Sequence, residues 1–265
     1  ILSGQGTNTV TVAWPYAGNR TVSVTYTNAS GCSAQTPTVK NVTINPAAVP
    51  TIGSSNNPCI NSTNNQYYTN GGMVNYVWAI SSGGTIVSGQ GTSTINVTWN
   101  TVGAQWVSVT YTNTYGCSPP SPTVYNLFVN PLPNAAGAIT GTSTVCAGSS
   151  GVAYSCPEIL NATSYTWTLP AGATIATGAG TRNITVNFGP AAVSGNIIVA
   201  GTNQCGDGTP STFAVTVNPL PAAAGTIQGS SPVCAGAANV AYSIPAIAGA
   251  TSYVWTIPAG ASITS

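Results

Sequence analysis

The chain has 265 residues, 43% of them hydrophobic and 2% charged, with a formal net charge of +1. Its charged residues are Arg20, Lys40, Glu158, Arg182 and Asp207, and there is no His. Acid–base catalysis needs a positioned proton carrier, hard cations need a cage of oxygen ligands and nucleic-acid binding needs clustered Lys and Arg, so the composition argues against an enzyme, a metal or other cofactor, and a nucleic-acid partner.

Every apolar run is broken within a few positions by Thr, Asn, Ser or Gly, which argues against a membrane span of about 20 apolar residues. A surface so poor in charge is solvated by Thr, Ser and Asn, and near-zero net charge favours association. An extracellular fibre can use that property.

The chain reads as one module of roughly 85 to 90 residues, written nearly four times. Residues 1–46 are expected to be the C-terminal half of a β-sandwich repeat, because Ile1-Leu2-Ser3-Gly4-Gln5-Gly6 matches Ile86-Val87-Ser88-Gly89-Gln90-Gly91 in the middle of the next copy. Residues 47–131 read as a complete repeat with a period-two alternation. Tyr76, Trp78 and Ile80 share one strand face, as do Ile95, Val97 and Trp99, then Val107, Val109 and Tyr111, then Tyr125, Leu127 and Val129. Residues 132–219 read as a second complete repeat, with Tyr165-Thr166-Trp167 standing where the first has Tyr76-Val77-Trp78. Residues 220–265, with Tyr253-Val254-Trp255, read as the N-terminal half of another. The half-modules need completion. Either the chain is a window on a longer repetitive polypeptide, or head-to-tail fibre subunits complete one another's halves by strand complementation.

About seven short strands per module, bounded by Gly, Asn, Pro and Ser and without a capped helical pattern, predict an all-β chain of tandem immunoglobulin-like two-sheet β-sandwiches. Trp78, Trp167, Trp255, Tyr76, Tyr165 and Tyr253, from the recurring Tyr-x-Trp strand, are expected in the cores. The connectors run Asn45 to Pro50, Asn130 to Pro133 and Asn218 to Pro221. Proline fixes its own φ and holds the preceding residue extended, so a beaded rod is expected.

Six of the seven cysteines fall on the same repeat. Cys59 and Cys117, like Cys146 and Cys205, take an early and a late slot at nearly equal spacing, which predicts the disulfides Cys59–Cys117 and Cys146–Cys205. Each would clip one end of its sandwich and stabilise the module by about 4 kcal/mol in the chain-entropy model. Cys32 and Cys234 occupy the late and early slots of the half-modules, with partners expected outside the chain. Cys156 has no counterpart and is expected to be unpaired, as a buried thiol or as the site of an intermolecular bond. Such a framework implies an oxidising compartment, secreted or at the cell surface.

The Tyr76-Val77-Trp78 strand, the strand from Val107 to Asn113 with Gly116-Cys117-Ser118 after it, and the closing Tyr125-to-Asn130 strand with Pro131 resemble the PKD-like repeats of very long surface proteins of Bacteroidota-type bacteria. The resemblance covers essentially the whole chain. Well-known PKD sequences continue the Trp strand into an acidic turn, whereas this chain reads Trp78-Ala79-Ile80-Ser81-Ser82-Gly83-Gly84, so no acidic role carries over. What the resemblance implies is a structural segment of the stalk or filament of a giant secreted adhesin, exported by the type IX route and serving attachment or gliding. Its partners would be neighbouring repeats of the same or an identical chain, and surfaces. A second reading is a glycan-binding sandwich in which Trp106, Tyr67 and Tyr115 stack on sugar rings. Asn-x-Ser/Thr triplets at Asn19, Asn28, Asn41, Asn61, Asn96, Asn161 and Asn183 are candidate glycosylation positions.

Overall fold

The computed structural model describes residues 1–54 and 57–264. They fall into two compact units, Ile1–Pro131 and Leu132–Ser265, and every regular element among the described residues is a β-strand. In the first unit β1 (Gly18–Val24) and β2 (Thr38–Ile44) form an antiparallel pair. Seven strands follow: β3 (Gly53–Ser54), β4 (Asn65–Tyr68), β5 (Val74–Ile80), β6 (Gly84–Ser88), β7 (Thr94–Trp99), β8 (Gly103–Thr112) and β9 (Thr123–Val129). They make one sheet in the order β3-β4-β7-β6 and another in the order β5-β8-β9.

The two sheets face each other because alternation puts one apolar row on each strand. Ile95, Val97 and Trp99 of β7 and Val107 and Val109 of β8 are all fully buried. The residues between them on β7, Thr94, Asn96 and Thr98, turn outward to partial exposure. Thr and Val suit this pleated, half-buried surface.

The second unit repeats the plan with β10 (Thr140–Gly141), β11 (Thr144–Cys146), β12 (Val152–Ser155), β13 (Ser164–Thr168), β14 (Ala173–Thr177), β15 (Asn183–Phe188), β16 (Gly195–Asn203), β17 (Gly206–Asp207) and β18 (Ser211–Asn218). One sheet runs β10-β12-β15-β14 and the other β11-β18-β16-β13, with β17 on β16. Its core holds Tyr154, Ile184, Val186, Phe188, Ile197 and Val199. Beyond it, β19 (Gln228–Gly229) pairs with β20 (Tyr242–Ser243).

The aromatic centre of the first sandwich differs from the expected one. Tyr67, read from sequence as a surface platform, is fully buried, edge-on to Trp99 with ring centroids 6.3 Å apart at 89°, and Trp99 Nε1 donates to its hydroxyl at 3.0 Å. The reason is the phase of β4, which turns Asn65 and Tyr67 inward and Gln66 and Tyr68 outward. Trp78 and Tyr76 are buried as well. In the second unit Trp167 and Tyr165 are half-buried, packed against the core. Tyr253 and Trp255 contradict the expected core placement, being 45% and 38% exposed, because the only strands of residues 220–264 are the short β19 and β20, which provide no facing sheet.

The side-chain anchors recur even where burial does not. Tyr76 donates its hydroxyl to the Asn70 carbonyl at 2.8 Å, while the Tyr165 and Tyr253 hydroxyls accept from Ile159 N at 3.2 Å and Ile247 N at 3.0 Å. In each case the tied residue lies six positions upstream. Trp78 and Trp167 donate Nε1–H to the carbonyls of Thr92 and Thr181, each fourteen positions downstream, at 2.8 Å. Those threonines in turn close a glycine turn, their hydroxyls lying 2.8 Å from the Gly89 carbonyl and 2.9 Å from the Gly178 carbonyl, as Thr7 does with Gly4 at 2.8 Å.

Candidate functional site

The features left over once the cores are built lie at the two ends, or poles, of each sandwich. At one pole of the first sandwich, Asn130 bridges Cys59 as a short parallel pair, with Asn130 N donating to Pro58 O and Ile60 N to Asn130 O, both at 2.9 Å. Cys59 is held there by a turn in which Ser62 N donates to its carbonyl at 3.1 Å. The second unit copies this: Cys146 pairs in parallel with Asn218 and Ser149 N donates to the Cys146 carbonyl at 3.1 Å.

The late-slot cysteines sit in a different turn at the other pole. Asn113 Oδ1 accepts from Tyr115 N and Cys117 N, both at 3.0 Å, and Asn28 Oδ1 accepts from Ser30 N and Cys32 N at the same distance. Asn203 Oδ1 accepts from Cys205 N at 2.7 Å. A carboxamide that caps the turn from inside is what Asn does well in place of a backbone turn. The Asn-x-x-Gly-Cys run at Asn28 and at Asn113 was the sequence signal for this site, and it lies outside the strand pattern. Asn113 also reaches the preceding connector, Nδ2 donating to the Pro46 carbonyl at 2.9 Å. Asn113→Ala is expected to lose about 1 kcal/mol, read as faster hydrogen exchange at Tyr115 and Cys117 with β7 unchanged.

This placement overturns the predicted disulfides. Cys117 and Cys146 are free thiols, whereas Cys59 and Cys205 are disulfide-bonded, so neither Cys59–Cys117 nor Cys146–Cys205 forms. β9 runs from Thr123, opposite Val109, to Val129, opposite Gly103. Cys59 lies beyond the Val129 end and Cys117 beyond the Thr123 end. Seven residues of strand span roughly 20 Å, and a disulfide needs Cα atoms within about 7 Å. Cys146, level with Asn218, and Cys205, beyond the Asn203 end of β16, are parted in the same way by β18. Cys32 and Cys234 are exposed free thiols. Cys156 is a free thiol 5% exposed, packed into the core beside β15. Burial pushes its pKa up, with Arg182 pulling the other way.

The three aromatics proposed for sugar stacking do not come together. Tyr67 is in the core, Tyr115 is 62% exposed in the Asn113 turn, and Trp106 is 39% exposed near the other end of β8. Of the candidate glycosylation positions, Asn96 on β7 is partly covered and the other six are exposed.

Burial also shifts three phenols. Tyr67, Tyr111 and Tyr154 have pKa values raised above the ordinary tyrosine value, chiefly by desolvation. The fold favours the neutral phenol, so their contribution is complete below the unfolded pKa near 10 and is lost as pH climbs through the raised values. The urea midpoint is therefore expected to fall once pH rises above about 10. A midpoint unchanged to pH 12 would contradict that expectation.

Among the described residues no cluster of three or more Cys, Asp or Glu side chains could hold a metal ion, and no helix is long and apolar enough to cross a membrane. The family described as PKD-like domain matches residues 45–126, 132–215 and 220–265. Curated protein sequences contain no match. Among solved structures, the chain is similar to a C-terminal intimin fragment in complex with the translocated intimin receptor's intimin-binding domain, at 13% identity and a TM-score of 0.41, over 70% of this chain and 68% of that one. It is similar to an adhesin with which an Antarctic bacterium binds ice, at 17% identity and a TM-score of 0.37, over 80% of this chain and 59% of that one. It is also similar to the Escherichia coli adhesin FdeC, at 16% identity and a TM-score of 0.27, over 69% and 68%.

Proposed function

The chain belongs to the PKD-like domain family, and from that premise we propose that it is a non-catalytic segment of the stalk or filament of a cell-surface adhesin, lying outside the cell. Its repeats are taken to run 47–131 and 132–219, flanked by the half-repeats 1–46 and 220–265. The observation that carries the reading is the reproduction of the same anchors in successive copies: the Tyr hydroxyl tied six residues upstream, the Trp indole tied fourteen downstream, and the threonine-closed glycine turn. What the chain repeats is a scaffold, with short proline connectors between copies. Its resemblance to the long surface proteins of Bacteroidota-type bacteria supports attachment or gliding as the task and type IX export as the route.

The test is electron microscopy of native cells and shed material labelled with an antibody to this chain. Label along a thin fibre with a beaded spacing of about 35 to 45 Å is the expected result. Label confined to the cytosol, or to discrete globular particles, would overturn the reading.

A further inference from the structure

We propose that Asn70 is a self-modifying site: its side chain closes onto the backbone nitrogen of Gly71, loses ammonia and is hydrolysed to an acidic residue in the folded protein. The site is the loop between β4 and β5 of the first sandwich, where Asn70, Gly71 and Gly72 are exposed. Asn70-Gly71 is the only Asn-Gly pair in the chain.

The carboxamide is set up as an electrophile. Asn70 Oδ1 accepts from Thr51 N, from the Thr51 hydroxyl and from the Tyr111 hydroxyl, each at 3.1 Å. Three donors on one oxygen draw charge away from Cγ and stabilise the negative oxygen that develops when a nucleophile adds there, as an oxyanion hole does. The nucleophile is unencumbered. Among the described residues the Gly71 N–H has no acceptor, and a glycine has no Cβ to crowd the approach. The leaving group is open too, since Asn70 Nδ2 donates to none of the described residues and ammonia departs into water.

The reaction needs only water as co-reactant. Gly71 N gives up its proton to solvent and bonds to Asn70 Cγ, the Cγ–Nδ2 bond breaks, and the nitrogen leaves as ammonia with that proton returned to it. Water then adds to one of the two carbonyls of the succinimide ring. Breaking the ring's bond from Gly71 N to the old side-chain carbonyl gives Asp, and breaking its bond to the main-chain carbonyl gives isoaspartate. The main-chain carbonyl is polarised as well, by the Tyr76 hydroxyl at 2.8 Å.

The product has a place to sit. The three groups that donate to Oδ1 would donate to a carboxylate, in hydrogen bonds that charge makes stronger. Residues 47–131 contain no Asp, Glu, Lys or Arg, so the new carboxylate is the first charge of that repeat. In the other copies the residue six positions before the strand tyrosine is Ile159 or Ile247, which cannot react in this way.

The experiment is incubation of the folded 265-residue protein in water enriched in heavy oxygen, followed by peptide mapping. The peptide with Asn70 is expected to exchange one NH for one solvent oxygen ahead of every other asparagine peptide, faster as pH rises because the amide must lose its proton. Asn113 is the matched comparison. Its Oδ1 also accepts two N–H groups, but its Nδ2 is engaged by Pro46 O and Thr114 follows it. Gly71→Ala should fold normally, because a Cβ there meets nothing within 4 Å and no left-handed φ is required, and it should abolish the conversion over the time in which the parent protein reacts fully. Asn70 that converts only after unfolding in urea, that reacts no faster than Asn113, or that reacts as fast in Gly71→Ala would overturn the proposal. None of those results bears on the stalk reading, which is decided by where the fibre lies.

Discussion

Trp99→Ala is expected to destabilise the first unit by about 3–5 kcal/mol, the range for removing a large aromatic from a packed core. Trp99 is fully buried at the end of β7, stands edge-on to Tyr67 and donates its indole N–H to the Tyr67 hydroxyl. The substitution leaves a cavity, because the two close-packed sheets can collapse only in part, and it removes the donor that the buried phenol uses. Phe188, the residue at the matching end of β15, is also buried but has no polar edge, so Phe188→Ala is expected to cost a similar amount in the second unit through packing alone. Native-state hydrogen exchange separates the two units where a global melt would blur them. Trp99→Ala should erode protection at the β4 and β7 amides and leave β15 and β16 untouched, and Phe188→Ala should do the reverse. Trp106→Ala, at a position 39% exposed, is the matched control and should stay within about 0.5 kcal/mol. Unchanged protection of β7 in Trp99→Ala would show that the core is not where the structure places it.

Gly89→Ala should cost clearly more than Gly91→Ala, although both glycines lie in the same turn at nearly the same backbone angle. Their φ values are +89° and +86°, a conformation that costs an L-residue roughly 1–2 kcal/mol. The surroundings differ. A Cβ at Gly91 would meet nothing within 4 Å, whereas one at Gly89 would lie 2.1 Å from the Thr94 carbonyl oxygen, which no backbone can accept without moving. The strand register shifts here, between Ile86 and Ser88 opposite β7, so the movement would open the β6–β7 pairing. Gly178→Ala repeats the case in the second unit, with φ +80° and 2.0 Å to the Asn183 carbonyl oxygen. We expect about 1–2 kcal/mol for Gly91→Ala and at least about twice that for Gly89→Ala and Gly178→Ala, measured as shifts in the urea midpoint at constant slope. Equal shifts for Gly89→Ala and Gly91→Ala would mean that the close approach to Thr94 is relaxed in solution.

Much of the all-β architecture was legible in the residues themselves. A period of two in β5, β7, β8 and β9 is a local property of a strand with one wet face, and the recurrence of Tyr-x-Trp is a property of the chain read against itself. The short strands β4 and β6 escaped that reading. β4 opens on a buried Asn65, whose Nδ2 donates to the Val97 and Ser62 carbonyls at 2.9 Å, and polarity at an inward position hides the alternation. That is why the sequence pattern reads Tyr67 as a surface residue.

The amino-acid sequence by itself determined that this protein is built from repeated sandwiches of pleated strands with almost no charge, because strand alternation, turn residues and repeat period all act over short stretches of chain. Only the tertiary structure decided which side of Tyr67 is wet and which cysteines can meet. Two loop residues share a pole or lie a strand's length apart according to how many times the chain crosses the sandwich between them, and that count belongs to the fold as a whole. Spacing along the chain carries no such information, so nearly equal intervals between Cys59 and Cys117 and between Cys146 and Cys205 pointed to bonds that geometry forbids.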